Sequence, residues 1–99
     1  IFGAVEIGDW VITAQGCHVT SGSDNHGFLR TDIPIMQQRG IAKTVKLKRD
    51  IWLGANAIIL DDIGEGCVIG AGSVVTKPIP DWSVAVGSPA RVIKNRKEI

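Results

Sequence analysis

Histidine and cysteine supply the few side chains of this chain that could do acid–base or nucleophilic chemistry near neutral pH. His26 opens an irregular stretch, NHGF, and a neutral imidazole there could take a proton from a substrate. Asp24 or Asn25 could orient its ring. His18 follows Cys17 at a position that predicts a surface side chain. His26 is therefore the candidate catalytic residue.

The two cysteines indicate neither a metal centre nor a disulfide framework. Cys17 and Cys67 lack CxxC spacing, and both occupy small, inward positions of the repeat described below, which favours buried and inert thiols. Catalytic zinc takes three protein ligands, and the chain has only two histidines. We therefore expect no bound metal.

Length and composition predict one small domain over residues 1–99. The net charge of +1 argues against a nucleic-acid partner. No apolar run could span a bilayer and no signal peptide is visible, so we expect a cytoplasmic protein with no membrane partner. The chain starts at Ile1 rather than Met, and N-terminal coils or another segment could be missing.

A six-residue repeat must position these side chains. It runs over 7–24, 47–58 and 63–80, with an aliphatic residue first, a small or medium residue fifth, and glycine often second or fourth. Short strands joined by sharp corners stack into coils whose first residues form a common core. The repeat predicts an all-β fold, a parallel β-helix. A β-sandwich would instead alternate apolar and polar residues over longer runs.

Three segments depart from the repeat. Residues 25–46 contain Pro34 and predict a loop that leaves the coil wall, where functional residues are common. Residues 59–62 supply four residues where six are expected, which predicts one tightened corner. Residues 88–99 lose the glycine pattern and predict a short C-terminal helix that caps the coil.

The motifs DIWLGANAIIL, IGEGCVIGAGSVVTKPIP and VGSPARVI resemble the hexapeptide-repeat acyltransferases, most closely the maltose, galactoside and polysaccharide O-acetyltransferases. The resemblance extends from about Val5 to Lys94. It implies a left-handed parallel β-helix, a homotrimer with active sites between subunits, and acetyl-CoA in the groove between adjacent β-helices. The implied activity is acetyl transfer to a hydroxyl or amine of a sugar-like or small-molecule acceptor.

The same resemblance assigns roles to individual residues. His26 matches the catalytic histidine, and Trp52 matches a tryptophan that borders the cofactor channel. The remaining cofactor-binding positions are Gly54, Ala55, Ala71, Gly72, Thr76, Lys77 and Arg91, the last near the phosphates. The family commonly has IGDD where this chain has LKRD, which places Lys48 and Arg49 near the expected channel.

Two other functions fit the same scaffold. A trimeric β-helix could serve as a binding or assembly module with no turnover. The γ-type carbonic anhydrases use this scaffold to hold zinc between subunits with three histidines, a ligand set that this chain does not supply by itself.

Overall fold

The six-residue repeat folds into short strands separated by tight corners. The computed structural model describes residues 1–21, 26–41 and 43–98. Its strands are β1 (Val5–Ile7), β2 (Val11–Thr13), β3 (His18–Val19), β4 (Val45–Leu47), β5 (Ile51–Leu53), β6 (Ile58–Ile59), β7 (Val68–Ile69), β8 (Val74–Val75), β9 (Ser83–Gly87) and β10 (Ala90–Asn95). Two 3₁₀ turns, Ile35–Gln37 and Arg96–Glu98, complete the elements of the described residues. No helix among them is long and apolar enough to cross a membrane.

Strand pairing arranges the chain as a parallel β-helix with three faces. The first face contains β1 and β4, the second contains β2, β5, β7 and β9 with β10 at its edge, and the third contains β3, β6 and β8. The first corner, which precedes the second face, comprises 8–10, 48–50, 64–67 and 80–82. The second corner, which precedes the third face, comprises 14–17, 54–57 and 70–73. The third corner returns to the first face and comprises 60–62, 76–78 and, in the first coil, the described part of 20–44.

One coil of the helix takes 16 residues. Leu47 pairs with Ile63 and Ile63 pairs with Ile79, each 16 residues further along the chain. Each coil between Leu47 and Ile79 therefore contains two six-residue units and one four-residue unit. The shortened segment 59–62 is not a single defect, because 75–78 repeats it at the same corner. A strict six-residue register over 63–80 predicts Ile79 as the fifth residue of the unit that starts at Val75. That prediction was wrong, because Ile79 begins a new coil.

From the second coil onward the first residues of the repeat form the core, as predicted, whereas Ile7 and Thr13 of the first coil are exposed. Leu53, Ile59, Ile63 and Val75 are completely buried, and adjacent coils stack them in register. Burying each such side chain contributes roughly 1.5–3 kcal/mol. Backbone hydrogen bonds join the coils, for example from the Gly54 amide to the Ile69 carbonyl at 2.8 Å.

Two positions of the repeat shape the corners. The fourth position of each described six-residue unit has a positive φ, between 59° and 75°, whether it is occupied by glycine, as at Gly72, or by a bulky residue, as at Trp10. Second positions require close approach instead: a Cβ on Gly54 would lie 2.5 Å from the amide nitrogen of Ala71 in the next coil. These positions let the coils stack at the spacing of paired strands, about 4.8 Å.

The loop that contains His26 occupies the third corner of the first coil, where the later coils have four-residue units. We call residues 20–44 the excursion. Val45 and Lys46 already belong to β4 and pair with Val5 and Glu6 of β1. The predicted loop, 25–46, therefore extends two residues too far at its C-terminal end.

The predicted short C-terminal helix over 88–99 is not confirmed, because most of the segment is extended. Residues Ala90–Asn95 form β10, which turns back and pairs antiparallel with β9. Within the described residues of this segment, 88–98, helical structure is confined to the 3₁₀ turn Arg96–Glu98. β-Branched Val92 and Ile93 favour an extended backbone, and pairing with β9 satisfies the hydrogen-bonding groups that this strand would otherwise expose.

Candidate active site

The His26 ring contacts another residue of the excursion, Gln38. The Nδ1 atom of the exposed His26 side chain lies 3.3 Å from the carbonyl oxygen of Gln38. A carbonyl can only accept, so this contact requires the proton of the neutral ring on Nδ1 and leaves the lone pair on Nε2. Nε2 is the atom that could act as a base. Asp24 and Asn25, which could orient the ring by sequence, lie outside the described residues.

Gln38 is the buried centre of the excursion. Its carboxamide accepts a hydrogen bond from the Arg30 amide at 3.2 Å and donates to the carbonyls of Arg30 at 2.9 Å and Ile33 at 3.2 Å. These bonds join Arg30 and Ile33 to Gln38, whose backbone carbonyl contacts the His26 ring. Sequence reasoning missed Gln38, because its partners are brought to it by irregular structure that no repeat indicates.

A cavity of about 290 Å³ adjoins His26. The excursion supplies its lining: His26, Gly27, Phe28, Leu29, Arg39, Gly40 and Ile41. None of the predicted cofactor-binding residues contributes to it. Within one chain, the candidate base and the candidate cofactor residues therefore lie in separate places.

Five predicted cofactor residues lie along the second corner or its continuation. Gly54 and Ala55 belong to one coil, and Ala71 and Gly72 to the next. A Cβ on Gly72 would meet no atom within 4 Å, so this corner is open to an approaching molecule. Val86, in the following coil, packs against Gly70 of this corner. Arg91, the fifth of these residues, pairs with Val86 in the antiparallel ladder of β9 and β10.

Thr76 and Lys77 lie across the third face from these residues, exposed at the third corner. The third face between the two corners presents His18, Ile58 and Val74 outward, in register across β3, β6 and β8. Two of these three side chains are aliphatic and half-buried. The structure thus frames one shallow, largely apolar face with predicted cofactor residues on both sides.

Trp52 lies elsewhere, on the second face. It is exposed between Ile12 and Val68 and lines a cleft of about 220 Å³ with Trp10 and Arg96. Half-buried Val84 follows Val68 in the same register, one coil further on. Trp52 therefore cannot share one groove with the third-face residues of its own chain, although it could face those of a second copy.

The basic residues of LKRD lie at the first corner, away from the third face. Lys48 Nζ lies 3.5 Å from an Asp81 carboxylate oxygen, and Arg49 lies 3.6 Å from Glu65. Glu65 belongs to the coil after that of Arg49, and Asp81 lies two coils beyond Lys48. Lys48 and Arg49 thus form ion pairs along the first corner, and their nearness to the cofactor channel stays a prediction.

The cysteines pack toward the core. Cys67 is completely buried and its thiol donates to the Pro80 carbonyl at 3.1 Å. Burial raises the pKa of the Cys67 thiol, which keeps it protonated and unreactive. Cys17 is half-buried and donates to the Gly54 carbonyl at 3.0 Å. Within residues 1–21, 26–41 and 43–98, no three His, Cys, Asp or Glu side chains cluster as a metal site would require.

The fold and this arrangement define the class of protein: a parallel β-helix with an excursion that carries a histidine. No family model matches the sequence. The chain is 40% identical over 95 residues to a probable acetyltransferase of Mycobacterium tuberculosis, a match that covers 94% of this chain and 31% of the relative. The chain therefore spans about a third of that curated relative.

Two solved structures share the fold. A mutant of the N-acyltransferase AntD from Bacillus cereus, in complex with dTDP and coenzyme A, matches with a TM-score of 0.74 and 31% identity, over 95% of this chain and 54% of that one. A galactoside acetyltransferase in complex with coenzyme A matches with a TM-score of 0.77 and 30% identity, over 93% and 45%. The chain belongs to the hexapeptide-repeat acyltransferase family.

Proposed function

We propose that the protein transfers an acetyl group from acetyl-CoA to a hydroxyl or amine of a small-molecule acceptor, with His26 as the general base. The observation that carries this proposal is the position of the predicted cofactor residues on both sides of the third face: Ala55, Ala71 and Gly72 at the second corner, and Lys77 at the third. The coenzyme A complexes of the two structural neighbours support the choice of donor.

The third face suits the donor. Its aliphatic side chains, Ile58 and Val74, offer an apolar surface for the pantetheine arm, and the open corner at Gly72 admits it without a clash. Lys77 and Arg91, both exposed, could pair with the phosphates of the nucleotide. The thioester end would then point toward the first coil, which carries the excursion.

The reaction needs a base that acts as the acceptor attacks. The acceptor oxygen or nitrogen forms a bond to the acetyl carbonyl carbon while its proton passes to Nε2 of His26. The C–S bond then breaks, and the imidazolium returns the proton to the departing thiolate. Such proton transfer contributes roughly 10²- to 10⁴-fold, and positioning of both substrates contributes more.

A complete site requires more than one copy. We propose a homotrimer of left-handed β-helices, in which the second face of one copy, with Ile12 and Trp52, packs against the third face of the next. This heterologous contact closes a ring when repeated three times. Ile12 is 64% exposed and Trp52 is 55% exposed in one chain, whereas the first face presents Glu6 and Lys46. Sedimentation analysis should show a trimer, and Ile12→Asp should dissociate it while Lys46→Asp, on the first face, should not.

Transfer itself is tested by incubating the protein with acetyl-CoA, a thiol-trapping dye and a panel of sugars, amino sugars and amines. Acceptor-dependent release of coenzyme A is the expected result. Tight binding of acetyl-CoA with no acceptor consumed would instead support a binding module. Hydration of CO₂ that requires added zinc would instead support the anhydrase alternative.

A further inference from the structure

The cavity beside His26 carries information about the acceptor. The residues that line it combine apolar Phe28, Leu29 and Ile41 with basic Arg39. A volume of about 290 Å³ is of the size that binds a small molecule. Because His26 lines the same cavity, a molecule held there lies beside the imidazole.

Arg39 is the charged group of this cavity, and it lacks an acidic partner among the described residues. By contrast, Arg30, Arg49 and Arg96 each lie within 3.6 Å of a carboxylate oxygen. A guanidinium presents a planar fork of donors that matches a carboxylate or a phosphate. Arg39 is therefore available to an anionic ligand.

We propose that this cavity binds the acceptor, and that the acceptor carries a carboxylate or phosphate group that pairs with Arg39. This assignment rests on the proposed function, since it takes His26 as the base. The acceptor's hydrocarbon or ring portion contacts Phe28, Leu29 and Ile41. Its hydroxyl or amine faces Nε2 of His26.

The backbone fixes the base and the cation relative to each other. A Cβ on Gly27 would lie 2.8 Å from the carbonyl oxygen of Arg39, so the segment that carries His26 lies directly against the segment that carries Arg39. The Gln38 carbonyl contacts the His26 ring from the same segment. His26 and Arg39 are therefore carried by two segments in contact, and both line the same cavity.

The test compares matched acceptors that differ only in charge, such as a sugar phosphate against the free sugar and an amino acid against its amide. The wild-type protein should favour the anionic member by about 10-fold or more in kcat/KM, as one good charge pair allows. Arg39→Gln should abolish the preference by raising KM for the anionic acceptor, with KM for acetyl-CoA unchanged.

Arg30→Gln is the matched control, because Arg30 belongs to the same excursion but pairs with Asp32. It should retain the preference. Equal use of charged and neutral acceptors by the wild-type protein, or an undiminished preference in folded Arg39→Gln, would overturn the assignment alone. A lack of transfer to every acceptor would overturn the proposed function and this assignment with it.

Discussion

Lys43 Nζ lies 2.7 Å from Asp61 Oδ1, at the point where the excursion rejoins the β-helix. Lys43 immediately precedes the last residue of the excursion, and Asp61 belongs to the four-residue unit of the next coil. The Asp61 side chain is 12% exposed and also accepts a hydrogen bond from the Asp62 amide at 2.7 Å. The ion pair therefore ties the segment that carries His26 to the rigid coil beside it.

Asp61→Asn should loosen this attachment. The substitution removes the counter-charge that Asp61 gives the half-buried Lys43 ammonium, so we expect a loss of about 1–2 kcal/mol in the free energy of unfolding, below the value for fully buried pairs. Urea unfolding measures it. Lys48→Met, which breaks the exposed pair with Asp81, should cost under about 0.5 kcal/mol. Equal costs for the two variants would show that the Lys43–Asp61 pair has no special role.

Gly54→Ala and Gly72→Ala separate the two uses of glycine in the corners. A methyl group on Gly54 would lie 2.5 Å from the Ala71 amide nitrogen, so alanine there must push two coils apart and should cost about 2–3 kcal/mol. Gly72 faces open space, and alanine there meets only the strain of a positive φ, about 1 kcal/mol. Thermal unfolding of both variants gives the comparison, and a larger cost at Gly72 would contradict it.

The Cys67 thiol should make the fold sensitive to alkali. Its pKa is raised by burial, so the folded state keeps its proton when the unfolded chain has lost it. Well below the ordinary thiol pKa of 9.0, the Cys67 thiol is protonated in both the folded and the unfolded states, so stability does not change with its ionisation. The free energy of unfolding should fall as pH rises above that value. Cys67→Ser should reduce this decline, whereas Cys17→Ser should leave it in place. An unchanged decline in Cys67→Ser would assign the effect to another group.

The repeat predicted the core and the strands because it is a local pattern with a local cause. Leu53, Ile69 and Val75 are inward since the first position of each unit must fill the coil. The misplacement of Ile79 has a physical reason: the four-residue unit at the third corner occurs once per 16-residue coil, so a strict six-residue register drifts across it.

The remaining differences arise from contacts between segments that are distant in sequence. Residues around Arg91 and Lys94 contain good helix formers, yet pairing with β9 decides their conformation. Gln38 gave no local signal, because its role depends on how the excursion folds around it. For the site, the resemblance assigned residues to the cofactor, and the structure shows that most of them lie along the two edges of the third face whereas Trp52 lies on a different face.

Lys77→Met should weaken binding of coenzyme A. Removing one charge that pairs with a phosphate should raise Kd about 10-fold, since a charge-assisted hydrogen bond contributes roughly 1.5–3 kcal/mol. Titration calorimetry of the purified protein measures this directly. Lys46→Met on the first face serves as the control and should bind as the wild type does. Equal affinity for coenzyme A in the two variants would show that Lys77 at the third corner does not bind the donor.

The rate of acetyl transfer by His26→Asn tests the central claim most directly. The measurement compares kcat of the variant with that of the wild type, with trimer formation and coenzyme A affinity confirmed for both. We predict a fall in kcat of about 10²- to 10⁴-fold, with the affinity for coenzyme A unchanged. Transfer at the wild-type rate by the folded variant would contradict the assignment of His26 as the base.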